Sequence, residues 1–327
     1  MSGNVYAAID LGTNNCRMLV AQVKNQSFRV IDSFSRIVRL GEGLTRSNQL
    51  NEQAVERTIE ALRVCAEKMQ NRGVGMSRSI ATEACRRASD SETFYEKVLR
   101  ETDIQLETIT ARQEAQLTLD GCAQLLDNQV SRAIVFDIGG GSTELMWVDC
   151  SLPGKADVLA LMSLPIGVVT LAEHYGSGTI ERHHYEEIID QVEEGLAPFD
   201  RDHGISEYFS TNDVQLLGTS GTVTTLGGLY LNLPRYNRTK VDGLDMRMET
   251  IAAICHRLTK MNHEERAKNG CIGVERADLV VMGCAIMEAI CRRWPAPVVR
   301  AADRGIREGL LMSMMRENGD AFDGSIS

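Results

Sequence analysis

Residues 8–21 read AIDLGTNNCRMLVA: an apolar run ends on Asp10, a turn follows over Gly12–Asn15, and apolar residues resume. The same order returns further along the chain. Aligning Asp10 with Asp137 pairs residues 9–20, IDLGTNNCRMLV, with residues 136–147, FDIGGGSTELMW. Each copy has an apolar position, an Asp, an apolar position, Gly, turn residues and a second apolar run. Two copies of one strand–turn–strand unit imply two related α/β halves.

Working outward, Val5 to Arg39 reads as three short strands, with alternation in Met18, Val20 and Val23 and again in Phe28, Val30 and Ser33. Asn51 is placed to cap a helix whose apolar positions (Val55, Ile59, Leu62, Cys65, Ala66, Met69) recur at three and four residues and which ends near Gly73. A strand over Arg78–Thr82, a helix over Ser91–Glu101, an alternating strand over Ile104–Ile109 and a helix over Arg112–Leu126 complete the first half. The polar stretch Asp127–Arg132 is the expected boundary. After the second hairpin the pattern predicts a strand over Val158–Ser163, a helix over Val168–Tyr175 and a charged helix from Thr179 to about Pro198. QLLGTSGTVTTLGGLYL, residues 215–231, reads as a strand entering a turn that opens a helix. Helices over Glu249–Thr259 and Arg276–Arg293, a strand over Pro297–Ala301 and a helix over Arg304–Met315 follow. The expected organisation is α/β, with domains at 1–128 and 129–302, a final helix over about 303–317 packed back on the first, and a flexible tail over 318–327.

At 327 residues and 43% hydrophobic, the chain can bury a full core in each half. Its net charge of -10 argues against duplex nucleic acid or an anionic membrane as partner, so a polyanion would have to be met locally, by backbone amides, a metal and a few arginines. Nine cysteines without a CxxC pair or zinc spacing point to reduced thiols in a cytosol, most of them small core residues. With no basic leader and no apolar run long enough to span a bilayer, the expected location is cytoplasmic.

Glycine-rich turns after strands expose consecutive N–H groups that bind phosphate without net positive charge. There are three: Gly12, Thr13, Asn14 and Asn15; Gly139, Gly140, Gly141, Ser142 and Thr143; and Gly218, Thr219, Ser220, Gly221 and Thr222. Glycine clusters more often mark plain turns. The strand-end carboxylates of Asp10 and Asp137 alter that reading, because they could hold Mg²⁺, directly or through water, and so offset phosphate charge. The bland alternative is that each Asp caps its own turn.

In order and separation, DLGTNNCR, FDIGGGSTEL and LLGTSGTVTTL resemble the phosphate loops of the actin-like ATPase superfamily of sugar kinases, actin and heat-shock chaperones. The finer resemblance is to the exopolyphosphatase and guanosine pentaphosphate phosphohydrolase family (Ppx/GppA). IATEACRRASD is similar to its ATxALRxAxN, TARQEAQL to its SGxEEA, SLPIGVVTLAE to its glycine-containing strand-to-helix segment, and ADRGIREGLL to its SDxxLREG. This resemblance implies two ribonuclease H-like domains with a cleft between them, Mg²⁺ as cofactor, polyphosphate or guanosine pentaphosphate (pppGpp) as substrate, and a homodimer. It implies that Glu114 is the catalytic base, that Glu144 aligns water or a metal, that Arg86 reaches a phosphate bidentately, and that Arg17 occupies a basic position after the first turn. Arg307 would pair with a carboxylate at the domain junction. Without the resemblance, Glu114 would read as a solvated helix carboxylate and the arginines as surface ion pairs.

Two departures from the family pattern stand out: Gln113 replaces one acid of the EEA pair, and Asp90 replaces an Asn. The C-terminal HD-type domain of longer members is expected to be missing. These features motivate an alternative, a non-catalytic module that senses guanosine polyphosphates or a nucleotide. A sugar kinase would also fit the loops, but no sugar-binding acid is identifiable.

Overall fold

A computed structural model describes residues 4–24, 27–127, 129–152, 156–176, 180–211 and 213–320. It divides into two compact units, one holding the described residues up to Gln124 and from Arg304 onward, the other Leu125–Asp303.

In the first unit, β1 (Val5–Leu11), β2 (Asn15–Lys24) and β3 (Ser27–Ile37) form a meander, and α1 (Leu44–Ser47) and α2 (Glu52–Asn71) lead to β4 (Met76–Ala81). Next come α3 (Glu83–Arg87), α4 (Ser91–Thr102), β5 (Leu106–Thr108) and α5 (Ala111–Cys122). The sheet order is β3-β2-β1-β4-β5, with β1 parallel to β4 and β4 parallel to β5. Ala7, Ala8 and Ile9 of β1 are fully buried, as a strand covered on both faces must be. One face packs Ala7, Ile9, Met18 and Val20 on Ile59, Leu62, Phe94 and Val98 of α2 and α4. The other packs Tyr6, Ala8, Leu19 and Ala21 on Leu117 of α5 and on Leu310, Leu311 and Met314. Those last three belong to the chain's final helix.

The second unit opens with β6 (Arg132–Ile138), β7 (Thr143–Asp149) and β8 (Asp157–Leu164), then α6 (Val168–Tyr175), α7 (Arg182–His203), α8 (Ile205–Phe209), β9 (Val214–Thr219) and α9 (Gly221–Tyr230). It closes with α10 (Arg238–Val241), β10 (Asp245–Arg247), α11 (Met248–Lys260), α12 (His263–Ala267), α13 (Val280–Arg293) and β11 (Val298–Ala301). The final helix, α14 (Ile306–Glu317), returns to the first unit. The sheet order β10-β11-β9-β6-β7-β8 contains β8-β7-β6-β9-β11, the same arrangement as in the first unit, with β10 added at one edge. The internal repeat holds down to the register: Asp10 lies opposite Arg17, and Asp137 opposite Glu144.

The structure moves several expected boundaries. The division falls at Gln124/Leu125 rather than after residue 128, because Leu125 and Asp127 are bonded into the second unit. Arg300 Nη1 donates to the Leu125 carbonyl at 2.9 Å, and the Gln215 amide exchanges bonds of 2.8 and 3.0 Å with the Asp127 backbone. Strands β2 and β3 are 10 and 11 residues long, not short. The expected start of the charged helix, Thr179, lies outside the described residues, and that helix does not stop at Pro198 but runs to His203. Beyond the proline, Phe199 is buried and Asp200 accepts a 3.1 Å bond from Trp294 Nε1, so tertiary contacts carry the extra turn to Gly204, whose φ of 59° ends it. Residues 318–320 of the expected flexible tail are tied down, with Asn318 Nδ2 donating to Tyr6 Oη at 2.7 Å and Tyr6 Oη to Asp320. The remainder, 321–327, lies outside the described residues. All nine cysteines are buried thiols outside any disulfide.

Candidate active site

The C-terminal ends of parallel strands are where α/β sheets place ligands. In the first unit these ends carry Asp10 and the turn after β1, Thr82 and α3 after β4, and α5 after β5. The turn closes with Gly12 N–H on the Asn15 carbonyl at 2.9 Å. Its other carbonyls are tied to the segment after β3: Val38 and Arg39 N–H donate to Asn14 O at 2.9 and 3.1 Å, and Gly41 N–H to Thr13 O at 2.9 Å. Among the described residues the N–H groups of Thr13 and Asn14 have no protein acceptor. Fixing the Thr13 carbonyl holds the peptide that carries the Asn14 N–H and leaves that N–H set for an anion.

The second unit repeats this design. Gly139 N–H donates to Ser142 O at 2.9 Å, and the first amides of α6, Val168 and Val169, donate to the Gly139 and Gly140 carbonyls at 3.0 and 2.8 Å. A Cβ at Gly167 would sit 2.4 Å from Gly140 O, so only glycine admits this contact. Among the described residues the Gly140 and Gly141 N–H groups have no protein acceptor.

The third turn differs from expectation. Ser220, at φ 107°, caps α9 itself, its Oγ accepting from Thr222 N at 3.2 Å and Val223 N at 3.5 Å. Gly218 is required by packing, since a Cβ there would meet the Phe136 ring at 2.5 Å, and the Thr222 side chain lies against Gly283 of α13. Thr219 is buried at the end of β9, opposite Asp137 in register, and Gly221 opens α9. Of the amides assigned to phosphate, that of Thr222 therefore already has a partner.

Glu114 is buried at the start of α5, with 8% of its surface exposed. Arg86 of α3 meets it, Nη1 donating to Glu114 Oε2 at 2.6 Å and to the Ile109 carbonyl at 3.0 Å. The sequence reading has Arg86 offer its fork to a phosphate, but here the Nε–Nη2 edge donates to Glu83 Oε2 at 3.3 and 3.0 Å. Glu83 escaped the sequence reading; its one signal was the i,i+3 spacing to Arg86. Gln113 is a capping residue: its Oε1 accepts from Thr110 N at 2.9 Å while its own N–H donates to Thr110 Oγ1 at 3.2 Å. A Glu would cap in the same way, so this departure leaves the neighbouring Glu114 in place. Asp90 likewise has a local task, accepting from Leu50 N at 3.1 Å.

Glu144 is buried on β7 and held by two hydroxyls, Ser142 Oγ at 2.6 Å and Ser163 Oγ at 3.0 Å. Asp10 and Asp137, both partly exposed, occupy equivalent places with opposite surroundings. Burial pushes the Asp10 carboxyl above its ordinary range despite Arg17 and Arg307, with Glu308 adding to the rise. Arg307 thus acts on a carboxylate of the first unit itself. Asp137 has a second carboxylate, Glu144, directly across the strand pair, and such like-charge pairs are unfavourable without a cation. Asn14 Oδ1 is buried without a protein partner in the turn after Asp10. These are hard oxygen donors of the kind Mg²⁺ takes, one or two per site with water and phosphate completing the shell. Among the described residues no three His, Cys, Asp or Glu side chains cluster as an all-protein metal cage. Nor is any described helix long and apolar enough to cross a membrane.

The Ppx/GppA phosphatase family model matches residues 19–318. A guanosine-5'-triphosphate,3'-diphosphate pyrophosphatase of Aliivibrio fischeri is 29% identical over 316 residues, 96% of this chain and 60% of that protein, so this chain spans less than two thirds of its relative's length. The crystal structure of the Aquifex aeolicus member of the Ppx/GppA family superposes with a TM-score of 0.78 at 27% identity, covering 96% of this chain and 98% of that one. An exopolyphosphatase structure from Cytophaga hutchinsonii shares the fold, with a TM-score of 0.86 at 21% identity over 96% and 98% of the two chains. The expected pair of actin-like α/β domains is borne out by these likenesses. From residue 19 to residue 318, this chain belongs to the Ppx/GppA phosphatase family.

Proposed function

We propose that the chain hydrolyses the terminal phosphoanhydride of inorganic polyphosphate or of pppGpp, releasing orthophosphate, with Mg²⁺ as cofactor. The observation that carries this reading is a buried Glu114 held by Arg86 at 2.6 Å, in the same unit as a turn whose amides are set for an anion. The Aliivibrio relative, named for pppGpp, points to the same bond class. Water attacks the terminal phosphorus in line, Glu114 takes its proton, and the anhydride oxygen leaves with the shortened chain. In the second unit Glu144, fixed by Ser142 and Ser163, is the carboxylate that would align water or a metal. Each unit brings its own turn amides, Thr13 and Asn14 in the first and Gly140 and Gly141 in the second, as donors for phosphoryl oxygens, whose charge grows in the transition state. Asp10 and Asp137 would hold Mg²⁺, which supplies positive charge that a chain of net charge -10 lacks.

The test is phosphate release from each substrate with Mg²⁺ present. Glu114→Gln is expected to lower kcat about 10²- to 10⁴-fold, the usual share of a general base. Wild-type release by that variant would remove Glu114 from the role. Absence of release from both substrates by the unaltered chain would overturn the activity, and calorimetric binding without turnover would then favour a sensing module.

A further inference from the structure

We propose that Glu83 is a positioning residue: it grips one edge of the Arg86 guanidinium so that Arg86 meets Glu114 through a single N–H. This rests on the phosphatase reading of Glu114. Glu83 stands at the first open position of the family pattern ATxALRxAxN, so the family's motif does not supply it. Its Oε2 accepts from Arg86 Nε at 3.3 Å and Nη2 at 3.0 Å. That leaves Nη1, whose two hydrogens go to the Ile109 carbonyl at 3.0 Å and to Glu114 Oε2 at 2.6 Å. The side chains of Glu83, Arg86 and Glu114 are only 18%, 17% and 11% exposed, so the chain of contacts is held where water competes weakly.

The geometry gives Glu83 a task beyond neutralising Arg86. A guanidinium offers carboxylates a two-nitrogen edge, and its preferred contact is bidentate. Without Glu83 the Nε–Nη2 edge would lose its acceptor in a mostly buried place, and the planar group would turn to satisfy it. The nearest competing carboxylate is Glu114, and a bidentate clamp would occupy both of the oxygens that must accept the proton of water. Alternatively, the freed edge would turn toward substrate phosphate and leave Glu114 without its 2.6 Å contact. In either arrangement the base loses its alignment while the amide turns keep theirs. The chemical step suffers and ground-state binding does not.

The experiment compares wild type, Glu83→Ala and Glu83→Gln, with Glu114→Gln as reference, in phosphate release from pppGpp with Mg²⁺. Glu83→Ala is expected to lower kcat about tenfold with KM unchanged or reduced, and Glu83→Gln, which keeps the acceptor oxygen but not the charge, to fall between it and wild type. Unchanged kcat in Glu83→Ala, or a KM rise that accounts for the whole loss, overturns the proposal. A wild type that releases nothing, or a Glu114→Gln variant as active as wild type, refutes the proposed function instead. Crystal structures decide the positioning role separately from activity. The Arg86 Nη1–Glu114 Oε2 contact is expected to be lost or replaced by a bidentate one in Glu83→Ala, and its persistence at 2.6 Å refutes the proposal.

Discussion

Asp10 shows at the residue scale why a strand-end carboxylate is costly to a fold and useful to a site. Burial raises its carboxyl pKa, so ionisation disfavours the folded state and stability is lost as pH rises through the folded value. Asp10→Asn removes that cost. In EDTA at neutral pH the variant is expected to melt above wild type, and the gap to close below about pH 4, where the unfolded Asp is also protonated. Mg²⁺ should narrow the gap from the other side, raising the wild-type melting temperature more than the variant's; at about a hundredfold excess over Kd, one site contributes about 2.7 kcal/mol. A wild type whose melting ignores Mg²⁺ would remove Asp10 as a ligand. The sequence made Asp10 legible because the residue closes an apolar strand and recurs as Asp137. Glu83 was not legible, because its role lies in a contact with Arg86 and, through it, with α5, and local spacing shows only the first of these.

Among the elements, α14 holds α5, and α5 carries Glu114. The two helices approach backbone to backbone: a Cβ at Gly309 would lie 2.0 Å from Leu117 O, and one at Gly121 2.1 Å from Gly305 O. Alanine at position 309 would gain about 1 kcal/mol of helix propensity, yet the clash is with main chain that cannot step aside, and overpacking of this kind costs about 1–3 kcal/mol or more. Gly309→Ala is therefore expected to destabilise the chain in urea by about 1–2 kcal/mol net and to lower phosphate release by displacing Glu114. A stable, fully active variant would show that α14 gives way. On the sheet's opposite edge, Lys68 of α2 and Arg72 at its C-cap hold Asp32 of β3 at 2.7 and 2.9 Å, bringing its carboxyl down to about 2. A lowered folded value means stability that is present above the unfolded pKa and lost as pH falls from about 4 toward 2. Asp32→Asn should cost about 1 kcal/mol at neutral pH, both cationic partners being partly exposed, and clearly less at pH 2, where the folded carboxyl is about half protonated, as read by denaturant midpoints. Elements of this kind were legible wherever period and cap agreed, as with Asn51, whose Oδ1 accepts from Gln53 and Ala54 N–H at 3.0 and 3.2 Å. They were not legible where distant contacts decide, as in the last turn of α7 beyond Pro198 or the three-residue β10.

For the whole molecule, the charge balance separates two ways of binding a phosphate chain. A basic channel attracts polyphosphate over a distance and loses affinity steeply with added salt, because each neutralised phosphate releases a counterion. This chain has 45 acidic against 35 basic residues, and its two hairpin turns present amides rather than lysines. Short-range hydrogen bonds from fixed N–H groups are insensitive to a Debye length that shrinks only to about 8 Å at physiological salt. The long-range contribution, repulsion between a net charge of -10 and a polyanion, is the part that salt screens. With Mg²⁺ held saturating, KM for polyphosphate or pppGpp is therefore expected to stay level or fall as KCl rises from about 50 to about 200 mM, whereas a basic groove would lose affinity by orders of magnitude over the same range. A steep rise in KM with KCl would mean that arginines, and not the amides of Thr13, Asn14, Gly140 and Gly141, supply most of the grip on phosphate.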